Sequence, residues 1–139
     1  DEFITLSDFA PTFLDIAGVE QNPTHGASFA PFFRQSEVEG WTGEFHTQMN
    51  GVEFYYTQRM TQTKDYKYVF NAFDFDELYD LRNDPFEMKN VADNPIYEEA
   101  KRDLVRRMWR FARKTDDIIA NRYFTVTLAP WGPADALKK

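Results

Sequence analysis

Apolar and polar positions alternate with two different periods along this chain. In residues 7–18, Phe9, Phe13, Leu14 and Ala17 recur at helical spacing, which predicts a short helix packed by one face. Ser7 or Asp8 can cap its start, Pro11 fits only near that start, and Gly18 suits a left-handed stop. After a loop at 19–26, residues 27–34 can form a further helical turn beneath Phe29, Phe32 and Phe33. The pattern then becomes β-like. Trp41, Phe45 and Met49 alternate with Glu44, His46 and Gln48, and Asn50-Gly51 predicts a tight hairpin because both residues tolerate positive φ. Val52, Phe54, Tyr56 and Met60 continue on the return strand, a turn follows at Thr63-Lys64-Asp65, and 66–70 and 75–81 supply a third and a fourth strand.

Asp84-Pro85-Phe86-Glu87 reads as a compact helix start, with Asp84 as N-cap and Glu87 closing a capping box. Asn94-Pro95 repeats the device and opens the longest helix, 95–115. Tyr97, Ala100, Leu104, Met108 and Phe111 line one face of it, and Val105, Trp109 and Ala112 widen the stripe. The expected fold class is α+β: a four-stranded antiparallel meander packed against a long C-terminal helix. The tail, apolar and β-like from Tyr123 to Trp131, is expected to pack against this domain or a neighbour.

Composition narrows the function classes. The chain has 139 residues, 42% of them hydrophobic and 17% aromatic, enough for one real core. A net charge of −7 with the signs interleaved argues against a nucleic-acid binder, which needs a basic face. No apolar run approaches the roughly 20 residues of a membrane span, and the first residues do not read as a signal peptide. The absence of cysteine removes disulfides and thiolate metal sites.

Several segments resemble sulfatases, in the right order. Asp8-Phe9-Ala10-Pro11-Thr12-Phe13-Leu14-Asp15-Ile16-Ala17-Gly18 resembles their D-L-x-P-T-x-L-D-x-A-G helix, and Gly26-Ala27-Ser28-Phe29-Ala30-Pro31 the G-x-S-L-x-P after it. Arg59-Met60, Tyr66-Lys67-Tyr68-Val69 and Asn71 resemble the R-M … Y-K-Y-I-x-N strands. Glu77-Leu78-Tyr79-Asp80-Leu81 with Asp84-Pro85, Glu87 and Asn90-Val91 resembles E-L-Y-D-L-x-x-D-P-x-E-x-x-N-L, with nine identities. The resemblance implies a last helix of an alkaline-phosphatase-like core (1–36), a C-terminal subdomain (37–117) and an extension (118–139). It also implies a parent enzyme that hydrolyses sulfate esters, of sulfated glycans in this reading, with a formylglycine and calcium, in an extracytoplasmic, periplasmic setting. The upstream catalytic domain of the same polypeptide would be this region's partner. The formylglycine arises from a C/S-x-P-x-R motif, which Ser7, Ser28 and Ser36 do not begin, and the resemblance places the family's metal ligands upstream of the D-L-x-P-T helix, so no catalytic residue or metal ligand carries over to this chain.

Three residues stand out as substrate-binding candidates. His46 lies on the polar side of its strand just before the hairpin and could hydrogen-bond a sugar hydroxyl or a sulfate; a satisfied structural histidine is the plainer reading. Arg59 could clamp an anion bidentately or pair with an acid at a domain interface. His25 sits in a loop beside Gly26, and Tyr55 and Tyr56 could offer rings for sugar stacking. The carboxylates Asp74, Asp76, Glu77, Asp80 and Asp84 read as turn and cap residues rather than a glycosidase pair. Two other readings remain open: the same region of a phosphonate or phosphate ester hydrolase, and a free-standing carbohydrate-binding or interaction module.

Overall fold

A computed structural model describes residues 2–20, 25–51, 57–72, 74–120 and 131. The chain divides into two compact units, 1–43 and 44–139.

In the first unit a 3-10 turn, Leu6–Asp8, leads into helix α1, Phe9–Ile16, and a second 3-10 turn spans Ala30–Phe33. Asp8 stands at the N-cap of α1 but makes no capping hydrogen bond to that helix; the capping box is built by Thr5, ahead of the 3-10 turn. The Thr5 backbone N–H and hydroxyl both donate to Asp8 Oδ2, at 2.7 and 2.8 Å, so Asp8 serves as the acidic partner of the cap. Gly18 ends the helix as expected, with φ +67°. Its N–H donates to Asp15 O, and that of Val19 to Leu14 O, which together form a Schellman stop. The Phe9–Phe13 face lies open, at 41 and 63% exposure, while Pro11 and Thr12 are buried. What is tied down is the opposite side: Thr12 Oγ1 donates to Asp8 O (2.6 Å) and accepts from Phe29 N (3.0 Å).

The second unit is an antiparallel meander of β1 (Glu44–Met49), β2 (Gln58–Thr63), β3 (Tyr66–Asn71) and β4 (Glu77–Asp80), in that spatial order. Helix α2, Glu98–Lys114, packs on it, so the α+β expectation holds. Asn94 caps the lead-in turn, Oδ1 accepting from Ile96 N, with Pro95 at the first position. Leu104, Val105, Met108, Trp109 and Ala112 of α2 bury against Tyr68, Phe70 and Leu78. Leu104, Val105 and Met108 each contribute about 1.5–3 kcal/mol over leaving them in water.

Two expected elements differ. Met49 pairs with Gln58, so residues 50–57 connect β1 to β2 where a two-residue Asn50-Gly51 turn was expected. The physical reason is Arg59, whose guanidinium draws Asn50 Oδ1, Met49 O and Gln58 O to itself and holds the strand ends around a side chain. Val52, Phe54 and Tyr56, expected on the return strand, lie outside the described residues. Nor does a helix start at Asp84. Asp84 N donates to Asp80 O, Glu87 N to Asp84 O, and Glu87 takes φ +56°, a succession of turns. These turns fold the chain back along β4, where Val91 N donates to Leu78 O and Asn90 Oδ1 accepts from Leu78 N, an arrangement a helix would prevent. Asp84 still accepts a backbone N–H, from Lys89, and Glu87 pairs with Lys67 Nζ at 2.6 Å instead of closing a capping box.

Of the tail, Ile118–Ala120 forms a 3-10 turn with Ile119 buried. Trp131 packs against the core and its carbonyl accepts from Trp109 Nε1 at 2.7 Å. The remainder of the tail lies outside the described residues.

Candidate functional site

The register places Glu44, His46 and Gln48 of β1 in line with Thr63, Thr61 and Arg59 of β2. This face continues through Tyr68 and Phe70 into the core under α2. The polar side of β1 is therefore covered at His46 and partly at Glu44, while Gln48 stays exposed. His46, expected on the polar side of the strand, has a side chain only 7% exposed. Its ring stacks on Phe111 of α2, centroids 4.2 Å apart and planes within 10°. Nδ1 lies 3.0 Å from Thr61 Oγ1, and Nε2 lies 3.2 Å from Glu44 Oε1, in ion-pair range but out of line for a hydrogen bond. Burial pushes the imidazole pKa below its ordinary value, as do Arg107 and Arg110, against the opposing pull of Glu44. Burial acts to raise the Glu44 carboxyl, yet the Arg107 and His46 contacts hold it below the usual range. Arg107 in turn bridges Glu44 (2.8 Å) and Asp103 (2.7 Å).

Arg59 is fully engaged within the chain. Nε and Nη2 donate to the two carboxylate oxygens of Asp117 at 2.6 and 2.7 Å, and both side chains are 4% exposed. The three other N–H groups go to Met49 O, Gln58 O and Asn50 Oδ1, so all five donors are used. A sulfate could be clamped there only by displacing Asp117. Arg59 and the Ile119 N–H hold the Asp117 carboxyl below its ordinary value although burial opposes them. His25 belongs to the other unit, where it is exposed. Tyr55 and Tyr56 lie outside the described residues.

Beside this framework an open groove of about 330 Å³ runs between β1 and the C-terminal end of α2. His46 and Phe111 border it, with Gln48 and Asn50 on one side and Thr115, Asp116 and Ile118 on the other.

A family model described as N-sulphoglucosamine sulphohydrolase, C-terminal, matches residues 1–114. The chain belongs to this family. An uncharacterized protein of Haemophilus influenzae is 34% identical over 127 residues, covering 91% of this chain and 65% of that protein. An ulvan-active sulfatase of Formosa agariphila is 28% identical, covering 92% of this chain and 32% of the enzyme. A solved structure of a protein in complex with its substrate D-glucosamine-2-N,6-O-disulfate is similar with a TM-score of 0.69 and 28% identity, over 80% of this chain and 24% of that one. The chain thus spans less than two thirds of the length of each of these relatives.

Within this member of the family, the motif residues act as internal fasteners. Asp8 ties α1 to the loop after it by accepting Ala27 N (2.9 Å), and Ser28 Oγ donates to Asp15 Oδ2 (2.6 Å). Asp80, 4% exposed, gathers Arg82 and Asn83, and Asn90 staples the returning chain to β4. Tyr79 donates to Glu77 Oε2, and that contact raises its phenol to about 12. The resemblance implies a formylglycine and calcium in the parent, and the residues here fit neither. No described group of three or more His, Asp or Glu side chains could hold a metal ion, and no serine begins the nucleophile motif. Among the described residues no helix is long and apolar enough to cross a membrane.

Sequence reasoning missed Asp117, Glu44 and Phe111 as partners of the candidates. Asp117 lies 58 positions from Arg59 and no local pattern links them. Glu44 and His46 are two apart on a predicted strand, which places both on one face and was the available signal.

Proposed function

We propose that this chain is the C-terminal subdomain of a sulfatase whose complete polypeptide hydrolyses sulfate esters of a glycan. In this reading the nucleophile, the calcium and their ligands belong to an upstream catalytic domain, the polypeptide is exported to the periplasm, and this region is inactive alone. It supports the catalytic domain and contributes one wall of the substrate pocket. The family match over residues 1–114 carries the reading. An ulvan-active sulfatase and a protein bound to a disulfated glucosamine among its relatives favour a sulfated glycan as substrate. His46 and Arg59 then act mainly as framework: one is stacked and covered, the other fully donated to this chain.

Turnover of aryl sulfate and aryl phosphate esters, with calcium, by the 139-residue chain and by the complete polypeptide tests this. Sulfate ester hydrolysis by the complete polypeptide alone is expected. Preference for the phosphate ester would move the protein to the phosphohydrolase branch, and turnover by the isolated chain would return its own carboxylates to consideration.

A further inference from the structure

The groove between β1 and the end of α2 contains a residue that folding alone does not favour. Asp116 occupies the position after the α2 C-cap, with φ +51°. The Asp117 N–H donates to Ala112 O across it, the same kind of stop that Gly18 provides for α1. Glycine suits that position best; Asp is among the few residues with a Cβ that adopt it, at some cost. A carboxylate is also the wrong charge for the negative end of a helix dipole. Its neighbour Asp117 is neutralised by Arg59, but among the described residues no ion pair or hydrogen bond occupies the Asp116 carboxylate or the Gln48 amide. A backbone cost and an unfavourable charge at one exposed position, inside a groove, point to a use outside the fold.

The groove's chemistry identifies what it would take. Its walls are fixed relative to each other by the bidentate Arg59–Asp117 pair and the His46–Phe111 stack, so the opening is preformed. Its volume is at the small end of ligand pockets, which run from about 300 Å³ upward. Ile118, 69% exposed, and Phe111, 36% exposed, offer apolar surface, while Gln48, Asn50 and Asp116 offer an amide pair and a carboxylate. Asp116 and Asp117 line the groove and no described Lys or Arg does, which opposes a sulfate or carboxylate there, and Arg59, the cation beneath, is already committed. We infer that this groove binds an uncharged, hydroxyl-rich saccharide ring, its C–H face on Ile118 and Phe111 and its hydroxyls on Gln48, Asn50 and Asp116. The inference deepens the glycan reading above and rests on it for the identity of the polymer: the groove would hold an uncharged sugar unit of the glycan.

The test titrates the 139-residue chain with chitobiose, an uncharged disaccharide, and with sodium sulfate, reading heat and amide chemical shifts. Saturable chitobiose binding in the millimolar range is expected, with shifts at Gln48, Asn50 and Asp116 and no competition from sulfate. Gln48→Ala and Asp116→Gly should each weaken it at least five-fold. Asp116→Gly should also raise the melting temperature, because it removes the strained carboxylate at the helix end, so lost binding could not be blamed on lost folding. Absence of saturable binding, binding unchanged in Asp116→Gly, or displacement of the sugar by sulfate would each overturn the proposal. Chitobiose binding with these variant effects, beside a complete polypeptide that hydrolyses no sulfate ester, would sink the sulfatase reading and leave the groove. Sulfate ester turnover without chitobiose binding would do the reverse.

Discussion

Arg59 and Asp117 illustrate how one residue can be read correctly by type and differently by placement. A guanidinium on a strand end suits an anion, and an anion is what it holds, but the anion is Asp117 of the same chain. Removing one partner leaves the other buried without its counter-charge, whereas replacing both with apolar groups removes the desolvation cost as well. Asp117→Ala should therefore lower unfolding free energy by about 3–5 kcal/mol in urea titration. Arg59→Met combined with Asp117→Leu should recover most of that loss. A double variant no better than the single would mean that Arg59's bonds to Met49 O, Gln58 O and Asn50, rather than the ion pair, fix the strand ends.

Among the elements, α1 and its following loop form an interlocked pair whose weak point is a glycine. A Cβ on Gly26 would stand 2.1 Å from Ser7 O, a backbone atom that cannot swing aside. At Gly18 a Cβ meets nothing within 4 Å, and only the positive φ resists it. Gly26→Ala should accordingly cost about 1–3 kcal/mol as an overpacking change. It should also speed hydrogen exchange at the Ala27 and Phe29 amides, which bond to Asp8 and Thr12. Gly18→Ala should leave those two amides protected. The elements were legible in proportion to how local their causes are. The β3–β4 strands, the Asn94-Pro95 cap and the α2 stripe follow from period and capping chemistry, and each stands where the sequence places it. The Asn50-Gly51 hairpin and the Asp84 helix were misread because the deciding partners, Arg59 and the β4 edge at Leu78, are tertiary. The cover over Glu44 and His46 was hidden for the same reason: it comes from Arg107 and Phe111 of α2, which no local pattern places over the polar side of β1.

For the molecule as a whole, these buried charges set how stability changes with pH, and their signs can be worked out. The folded His46 binds its proton more weakly than an unfolded histidine, mainly through burial, with Arg107 and Arg110 adding and Glu44 opposing. Below about pH 6.5 the unfolded chain takes up that proton and the folded chain resists it. The His46 contribution is thus complete above pH 6.5 and is lost as pH falls from there through the lowered folded value. Glu44, Asp80 and Asp117 have depressed folded values, so their contributions persist above about pH 4 and disappear as pH falls through those values. Asp76 runs the other way. Burial raises its carboxyl, despite hydrogen bonds from Tyr68 and Asn71, so protonating it on acidification relieves a cost and offsets part of the loss. Urea unfolding midpoints between pH 3 and 8 should therefore fall in two stages, a first below pH 6.5 and a second below about pH 4. His46→Gln, which keeps a polar partner for Thr61, should abolish the first stage and preserve the second, and Asp117→Asn should shrink only the second. A first stage that survived His46→Gln would mean the imidazole is not the group whose burial sets this chain's acid limit.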